Sequence, residues 1–173
     1  MHISGEISFR PVAEDDIPDL YRWRQEPHVQ RWWYEDDDSE PTLDVVAKNY
    51  GPDHDDKEHR YIIEMDGRSI GYIQMYLLSD WPEYAALVQE TGAGVDLFIG
   101  EPDLINKGIG TEVINRFVED VVFADPSIDT CVIDPEITNA AAIRAYEKAG
   151  FVPVRTVDVP DTPGPELIMR RQR

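Results

Sequence analysis

The sequence predicts one α/β domain, in the mixed α+β sense: a mixed central sheet of about seven strands flanked by about four helices. Three observations predict it. Segments with the two-residue period of strands alternate with segments of helical period, in the order β-α-α-β-β-β-α-β-α-β-β. Asp66-Gly67 stands between two β-rich runs, "RYIIEM" and "RSIGYIQMYLL", which is the strongest hairpin cue a short stretch carries. Finally, 173 residues, 42% of them hydrophobic, suffice for one full-sized core. The domain is expected to span residues 1–173, with no linker and no internal repeat.

The elements follow in order. "ISFRPV" alternates as a first strand. In "EDDIPDLYRWRQE", Ile17, Leu20, Tyr21 and Trp23 recur at helical spacing behind an acidic first turn. "PTLDVVAKNY" is a short second helix with a proline near its start. "GPDHDDKEH" reads as a polar loop, and His54 and His59 match no metal-ligand spacing, so no metal is expected. The hairpin comes next, then "DWPEYAALVQETG" as an irregular or helical insertion, and then "AGVDLFIG" as a strand. From Gly110 onward, "GTEVINRFVEDVVF" carries apolar residues at 113, 114, 117, 118, 121 and 122, a helical stripe. "DTCVIDP" is a buried strand. "TNAAAIRAYEKAG" is a helix that opens at a cap, Thr138 or Asn139, and stops at Gly150. "FVPVRTVDV" and "PELIMRR" close the chain as strands.

Composition narrows the function. The formal net charge is −19, from 35 acidic and 16 basic residues. A field of that sign repels nucleic acid and anionic lipid, so neither is an expected partner, and it concentrates polycations. The same acidity also serves solubility alone, or a salty habitat. No apolar run approaches the ~20 residues of a membrane span. The N-terminus lacks the basic and apolar regions of a signal peptide. A lone Cys131, an apolar filler in a strand, excludes an internal disulfide and suits a reducing cytoplasm.

The stretch "LINKGIGTEVI" places Gly108 and Gly110 where a helix begins. This is either a flexible loop or a cradle for phosphate, since a helix N-terminus offers unpaired N–H groups and partial positive charge. Two familiar nucleotide motifs fail. A dinucleotide fingerprint needs a third glycine where Val113 stands, and a P-loop needs its lysine after the glycines, whereas Lys107 precedes both.

Thirty residues on, "NAAAIRAYEKAGF" decides between these readings. With the glycine loop it resembles the GNAT N-acetyltransferase superfamily, whose acetyl-CoA loop reads Gln/Arg-x-x-Gly-x-Gly/Ala and whose later helix carries Asn-x-x-Ala-x-x-x-Tyr before Gly-Phe. The matches are Gly108, Gly110, Asn139, Ala142, Tyr146, Gly150 and Phe151, and the element order agrees over nearly the whole length. Ile105 departs from the pattern, standing where the family has Gln or Arg. The resemblance implies acetyl-CoA as co-substrate. It would lie against Phe98, Ile99, Ile105, Asn106, Lys107, Gly108, Ile109, Gly110 and Thr111, with Asn139 and Ala142 along the pantetheine arm. Asn139 is otherwise only a helix cap. Tyr146 would protonate the leaving thiolate, or else is a core aromatic.

A narrower resemblance is to the aminoglycoside 6′-N-acetyltransferases, enzymes of antibiotic resistance. It rests on Trp32 and Trp33, "GYIQMY" with Gln74, "GVDLFIG" with Asp96, and Asp134-Pro135 before the Asn139 helix. It implies that Asp96 is the general base, because an attacking aliphatic amine, protonated below ~10.4, must lose a proton. Asp96 interrupts an apolar strand, and a carboxylate there needs a partner or a task unless it faces solvent. Asp134 would hold a substrate ammonium or merely form an Asp-Pro turn. Trp32 and Trp33 would wall the sugar site or pack the first helix. Tyr72, Gln74 and the loop residue Asp161 complete the expected substrate contacts. The expected enzyme is a cytoplasmic monomer or homodimer. The rivals are an acetyltransferase for another small amine or hydroxylamine, such as a siderophore precursor, and a non-catalytic binder of CoA or antibiotic.

Overall fold

The computed structural model of the chain describes residues 5–33, 41–52 and 57–173. Its strands are β1 (Ile7–Pro11), β2 (Glu58–Met65), β3 (Arg68–Leu77), β4 (Ala93–Ile99), β5 (Thr130–Ile133), β6 (Val152–Val157) and β7 (Glu166–Gln172). They form one mixed sheet in the order β1-β2-β3-β4-β5-β7-β6. The α-helices are α1 (Ile17–Arg24), α2 (Pro27–Gln30), α3 (Leu43–Tyr50), α4 (Pro82–Val88), α5 (Ile109–Phe117) and α6 (Ala140–Lys148).

The Asp66-Gly67 turn joins β2 to β3. Both residues adopt left-handed φ, 52° and 80°, which a two-residue type I′ hairpin requires. β1 pairs with β2 and β4 with β3, all antiparallel. The strand period then sorts the apolar residues to two faces. Ile73, Met75, Val95, Cys131 and Ile133 face α5 and α6, meeting Val113, Ile114, Phe117 and Ile143. On the other face Ile62, Tyr72 and Phe98 meet Leu20 and Trp23 of α1, Val29 of α2, and Val46 and Tyr50 of α3. Tyr76, Val132 and Ile168 meet Tyr84 and Val88 of α4 on that face.

Several local outcomes refine the sequence reading. The segment 82–88 is helical, with Pro82 at its start. α2 is an additional short turn, also opened by a proline, that seats Val29 in the core. The polar loop ends early because Glu58 and His59 already pair with Tyr76 and Met75. His54 lies outside the described residues. Asn139, not Thr138, caps α6, its Oδ1 accepting from the Ala142 amide at 3.2 Å. The long helix after the glycines widens to a π turn at Val118–Val122, with both end residues buried. No helix among the described residues is long and apolar enough to cross a membrane.

The pairing of β4 with β5 positions the site. β4 and β5 run parallel, and they pair only at Ala93–Cys131 and Gly94–Val132. β4 continues to Ile99 without that neighbour, so the two strands part midway along the sheet.

Candidate active site

Where β4 and β5 part, a cleft of about 560 Å³ opens. Its two ends are chemically opposite.

At one end lies the start of α5. Asn106 and Gly108 take left-handed φ, 59° and 78°, on either side of Lys107. Such alternation turns successive N–H groups toward one concave side. The first amides of α5 have no acceptor within the helix, and the helix adds its partial positive charge. Gly108 is glycine because of its φ. Gly110 is different: a Cβ built there would meet nothing within 4 Å, so the fold does not require its bareness. The Thr111 hydroxyl donates to the Ala145 carbonyl at 3.2 Å, tying α5 to α6. Arg144 and Lys148 of α6 also line this end of the cleft.

The other end is acidic. Asp96 of β4, Asp134 just past β5, Glu136 and Glu166 all line it. The Gln74 amide donates to Asp96 Oδ2 at 3.1 Å, and the Tyr72 hydroxyl donates to Gln74 Oε1 at 2.7 Å, so a half-buried relay runs from the aromatic core to Asp96. Burial pushes Asp96 up to about 8, and the Asp134 charge adds to this, while the Gln74 bond acts in the opposite sense. Asp134 is held well above the usual carboxylate range by burial and then by Glu166, and the Tyr84 hydroxyl of α4 donates to its Oδ2 against that trend. Glu166 is pushed up to about 7, again first by burial. Carboxylates this close cannot all ionise without a counter-charge.

Tyr146 lines the cleft between these ends. Burial raises its phenol above the ordinary value, and the charges of Asp96 and Asp134 raise it further, so the hydroxyl stays protonated. Trp32 lines the wall with the Arg31 guanidinium 4.7 Å over its ring. Trp33 both lines the cleft and packs inward, its Nε1 donating to Tyr50 at 2.7 Å and its ring meeting Phe98 edge-on. His28 reaches in from α2, its Nε2 2.8 Å from the Ile99 carbonyl.

The fold thus brings together most of the residues singled out by sequence. Phe98, Ile99, Ile105, Asn106, Gly108, Ile109, Gly110, Thr111, Asn139 and Ala142 line the cleft along with Asp96, Asp134, Tyr146 and the two tryptophans. Lys107 is exposed. Tyr72 is fully buried and Gln74 stands behind Asp96, so both touch the cleft only through that carboxylate. Asp161 is an exposed turn residue at φ 66° that does not line the cleft. Sequence reasoning missed His28, Tyr84, Glu136, Arg144, Lys148 and Glu166. For Arg144 and Lys148 a signal was present, two cations four residues apart on the helix that carries Asn139 and Tyr146.

A family model described as an acetyltransferase (GNAT) domain matches residues 12–159. An aminoglycoside N(6′)-acetyltransferase type 1 of Klebsiella pneumoniae is 34% identical over 178 residues, covering 98% of this chain and 85% of the relative. Among solved structures, AAC(6′)-Ib in complex with paromomycin and acetyl-CoA superposes with a TM-score of 0.84 at 32% identity, covering 97% of this chain and 94% of the other. AAC(6′)-Ib with coenzyme A and kanamycin gives a TM-score of 0.83 at 32% identity, with 97% and 95% covered.

Proposed function

This chain belongs to the GNAT acetyltransferases, and on that premise we propose that it moves the acetyl group of acetyl-CoA to the 6′-amine of aminoglycosides. The observation that carries the reading is the opposed charge of the two cleft ends. An anionic cofactor suits the α5 amides with Arg144 and Lys148, and a polyamine suits Asp96, Asp134, Glu136 and Glu166. The open space over Gly110 supports the first assignment, since a residue kept bare without a packing reason marks the approach of something from outside.

Acetyl-CoA supplies an activated acyl carbon on a thiolate leaving group. The residues of this chain then have distinct tasks. Amides at 106–111 hold the pyrophosphate, and the unpaired N–H2 of Asn139, whose Oδ1 is already the helix cap, donates to the pantetheine arm. Phe98, Ile99, Ile105 and Ala142 enclose that arm. Asp96 accepts a proton from the substrate ammonium; its upward shift to about 8 brings its basicity toward that of the amine. As the nitrogen–carbon bond forms and the carbon–sulfur bond breaks, the protonated Tyr146 hydroxyl gives its proton to the departing sulfur. Asp134 holds the ammonium in line, oriented by Tyr84, and Gln74, positioned by Tyr72, orients Asp96. Trp32 and Trp33 wall the sugar ring. Residues 1–173 form the single catalytic domain. The enzyme works in the cytoplasm, where its buried Cys131, pushed up to about 12 by burial, stays a thiol.

Thiol release followed with kanamycin, tobramycin, spermidine and a hydroxylated diamine tests this reading, with spectroscopy of the product locating the acetyl group. Preferred turnover of the aminoglycosides with acetylation at the 6′ nitrogen is expected. No release with any aminoglycoside, or acetylation elsewhere, would overturn it.

A further inference from the structure

Glu166 opens β7 directly opposite Glu136, the two forming an isolated antiparallel bridge. The Leu167 amide, bonded to the Pro135 carbonyl at 2.8 Å, holds that register. Residues directly opposite on antiparallel strands have Cβ atoms ~4.5–5.5 Å apart, and diagonal neighbours remain within reach. Asp134, two residues before Glu136, shares its face by the strand period and is the diagonal neighbour of Glu166. Three carboxylates therefore stand together at the acidic end of the cleft. Like charges placed opposite one another destabilise a sheet.

Two of the three have neutral hydrogen-bond donors. Tyr84 donates to Asp134, and the Thr138 hydroxyl donates to Glu136 at 2.8 Å. The Glu166 carboxyl shares a hydrogen bond with Asp134, but its Oε2 atom is buried and has no hydrogen-bond partner. A buried carboxylate oxygen in that condition is costly unless something else comes to it. The group is not arranged for a metal ion: no three His, Cys, Asp or Glu side chains among the described residues could hold one. Its spread fits a larger cation.

We infer that Glu166 is a selectivity residue: beside Asp134 and opposite Glu136, its carboxylate holds a second ammonium of the acceptor while the first stands before Asp96. The inference rests on the acetylation reading above and deepens it, for it makes the site one for acceptors with two or more cationic amines. Because burial raises Asp96, Asp134 and Glu166 together, the cleft without acceptor retains a proton near neutrality that these carboxyls share. An arriving ammonium displaces that proton, so polyamine binding is coupled to proton release.

The test compares kanamycin, a polyamine, with 6-amino-6-deoxyglucose, a monoamine, in the parent enzyme and in Glu166→Gln and Glu166→Asp. The ratio of their kcat/KM values should fall about tenfold in Glu166→Gln, chiefly through the kanamycin KM, and recover in part in Glu166→Asp. Calorimetry of kanamycin binding at pH 7, in two buffers of different ionisation enthalpy, should show proton release by the parent and less by Glu166→Gln. Acetyl-CoA affinity verifies that each variant is folded. An unchanged ratio, or equal losses for both acceptors, or undiminished proton release overturns the role of Glu166. A parent enzyme that releases no thiol with any amine overturns the acetylation reading instead, and the calorimetry then still decides the role of Glu166.

Discussion

Replacing Asp96 with asparagine separates chemistry from fold, because the two readouts move in opposite directions. Asparagine preserves size, and its carbonyl oxygen accepts the bond from Gln74 that Asp96 Oδ2 accepts at 3.1 Å. Only basicity and charge are lost. A positioned general base is worth ~10²–10⁴ in rate, so kcat should fall by that order while acetyl-CoA affinity stays near the parent value. With Asp96 at about 8 in the free enzyme, parental kcat/KM should climb as pH rises toward 8, and the variant should lose that rise. Stability behaves in reverse. A carboxyl raised from 3.8 to about 8 contributes stability that is fully present below pH ~4 and is lost as pH rises through ~8. At pH 9 the parent carries the full cost of the charge at this site, at most about 6 kcal/mol at 1.36 kcal/mol per unit. Asp96→Asn should therefore melt higher than the parent at pH 9 while turning over far more slowly. Stopped assays from pH 6 to 9 and calorimetric melting at the two ends of that range check both. A variant within a few-fold of parental kcat at every pH would refute the assignment, and the proton would then leave through water or Asp134.

Gly110→Val should fold normally, since its Cβ meets nothing and valine suits a helix slightly better than glycine, yet lose at least tenfold in acetyl-CoA affinity by titration calorimetry. Unchanged affinity would remove the pyrophosphate from this loop. Tyr146→Phe should lower kcat by ~10²-fold with the kanamycin KM little changed, and a thioester with a less basic leaving thiolate should narrow the deficit. Gly100→Ala should act on the fold alone: its methyl would run into the ring of Trp23, which is fully buried and bonded through Nε1 to Glu101 at 3.0 Å. Overpacking of this kind costs ~1–3 kcal/mol, so thermal melting should drop on the order of 5 °C.

Local chemistry made much of this protein legible from its sequence. The Asp66-Gly67 turn needs two left-handed residues, and the chain supplies the pair that tolerates them. Asn139 before an amphipathic run reads as a cap because its side chain can reach an amide three residues on, as it does at Ala142. Gly108 and Gly110 stand out because bare backbone where a helix begins leaves its unpaired N–H groups open to an anion. Asp96 stands out because a carboxylate in "GVDLFIG" conflicts with the strand around it. Each of these signals is carried by residues within a few positions of one another.

Tertiary structure alone decided which strands pair and where they stop pairing. The cleft exists because β4 and β5, more than 30 residues apart in the chain, share only two registered pairs and then diverge. No local pattern encodes that divergence, since strand partners and register are chosen by the packing of whole faces against distant helices. The same holds for the acidic end. Tyr84 lies in a helix of ordinary appearance, and Glu166 in "PELIMRR" looks like the solvent-facing residue of an edge. They become part of a site only when α4 brings a hydroxyl to Asp134 and the β5–β7 register sets Glu166 across from Glu136. Electrostatic coupling falls off with distance in space, not in sequence, so a carboxylate cluster assembled from three separate segments is determined by the sequence yet visible only in the folded chain.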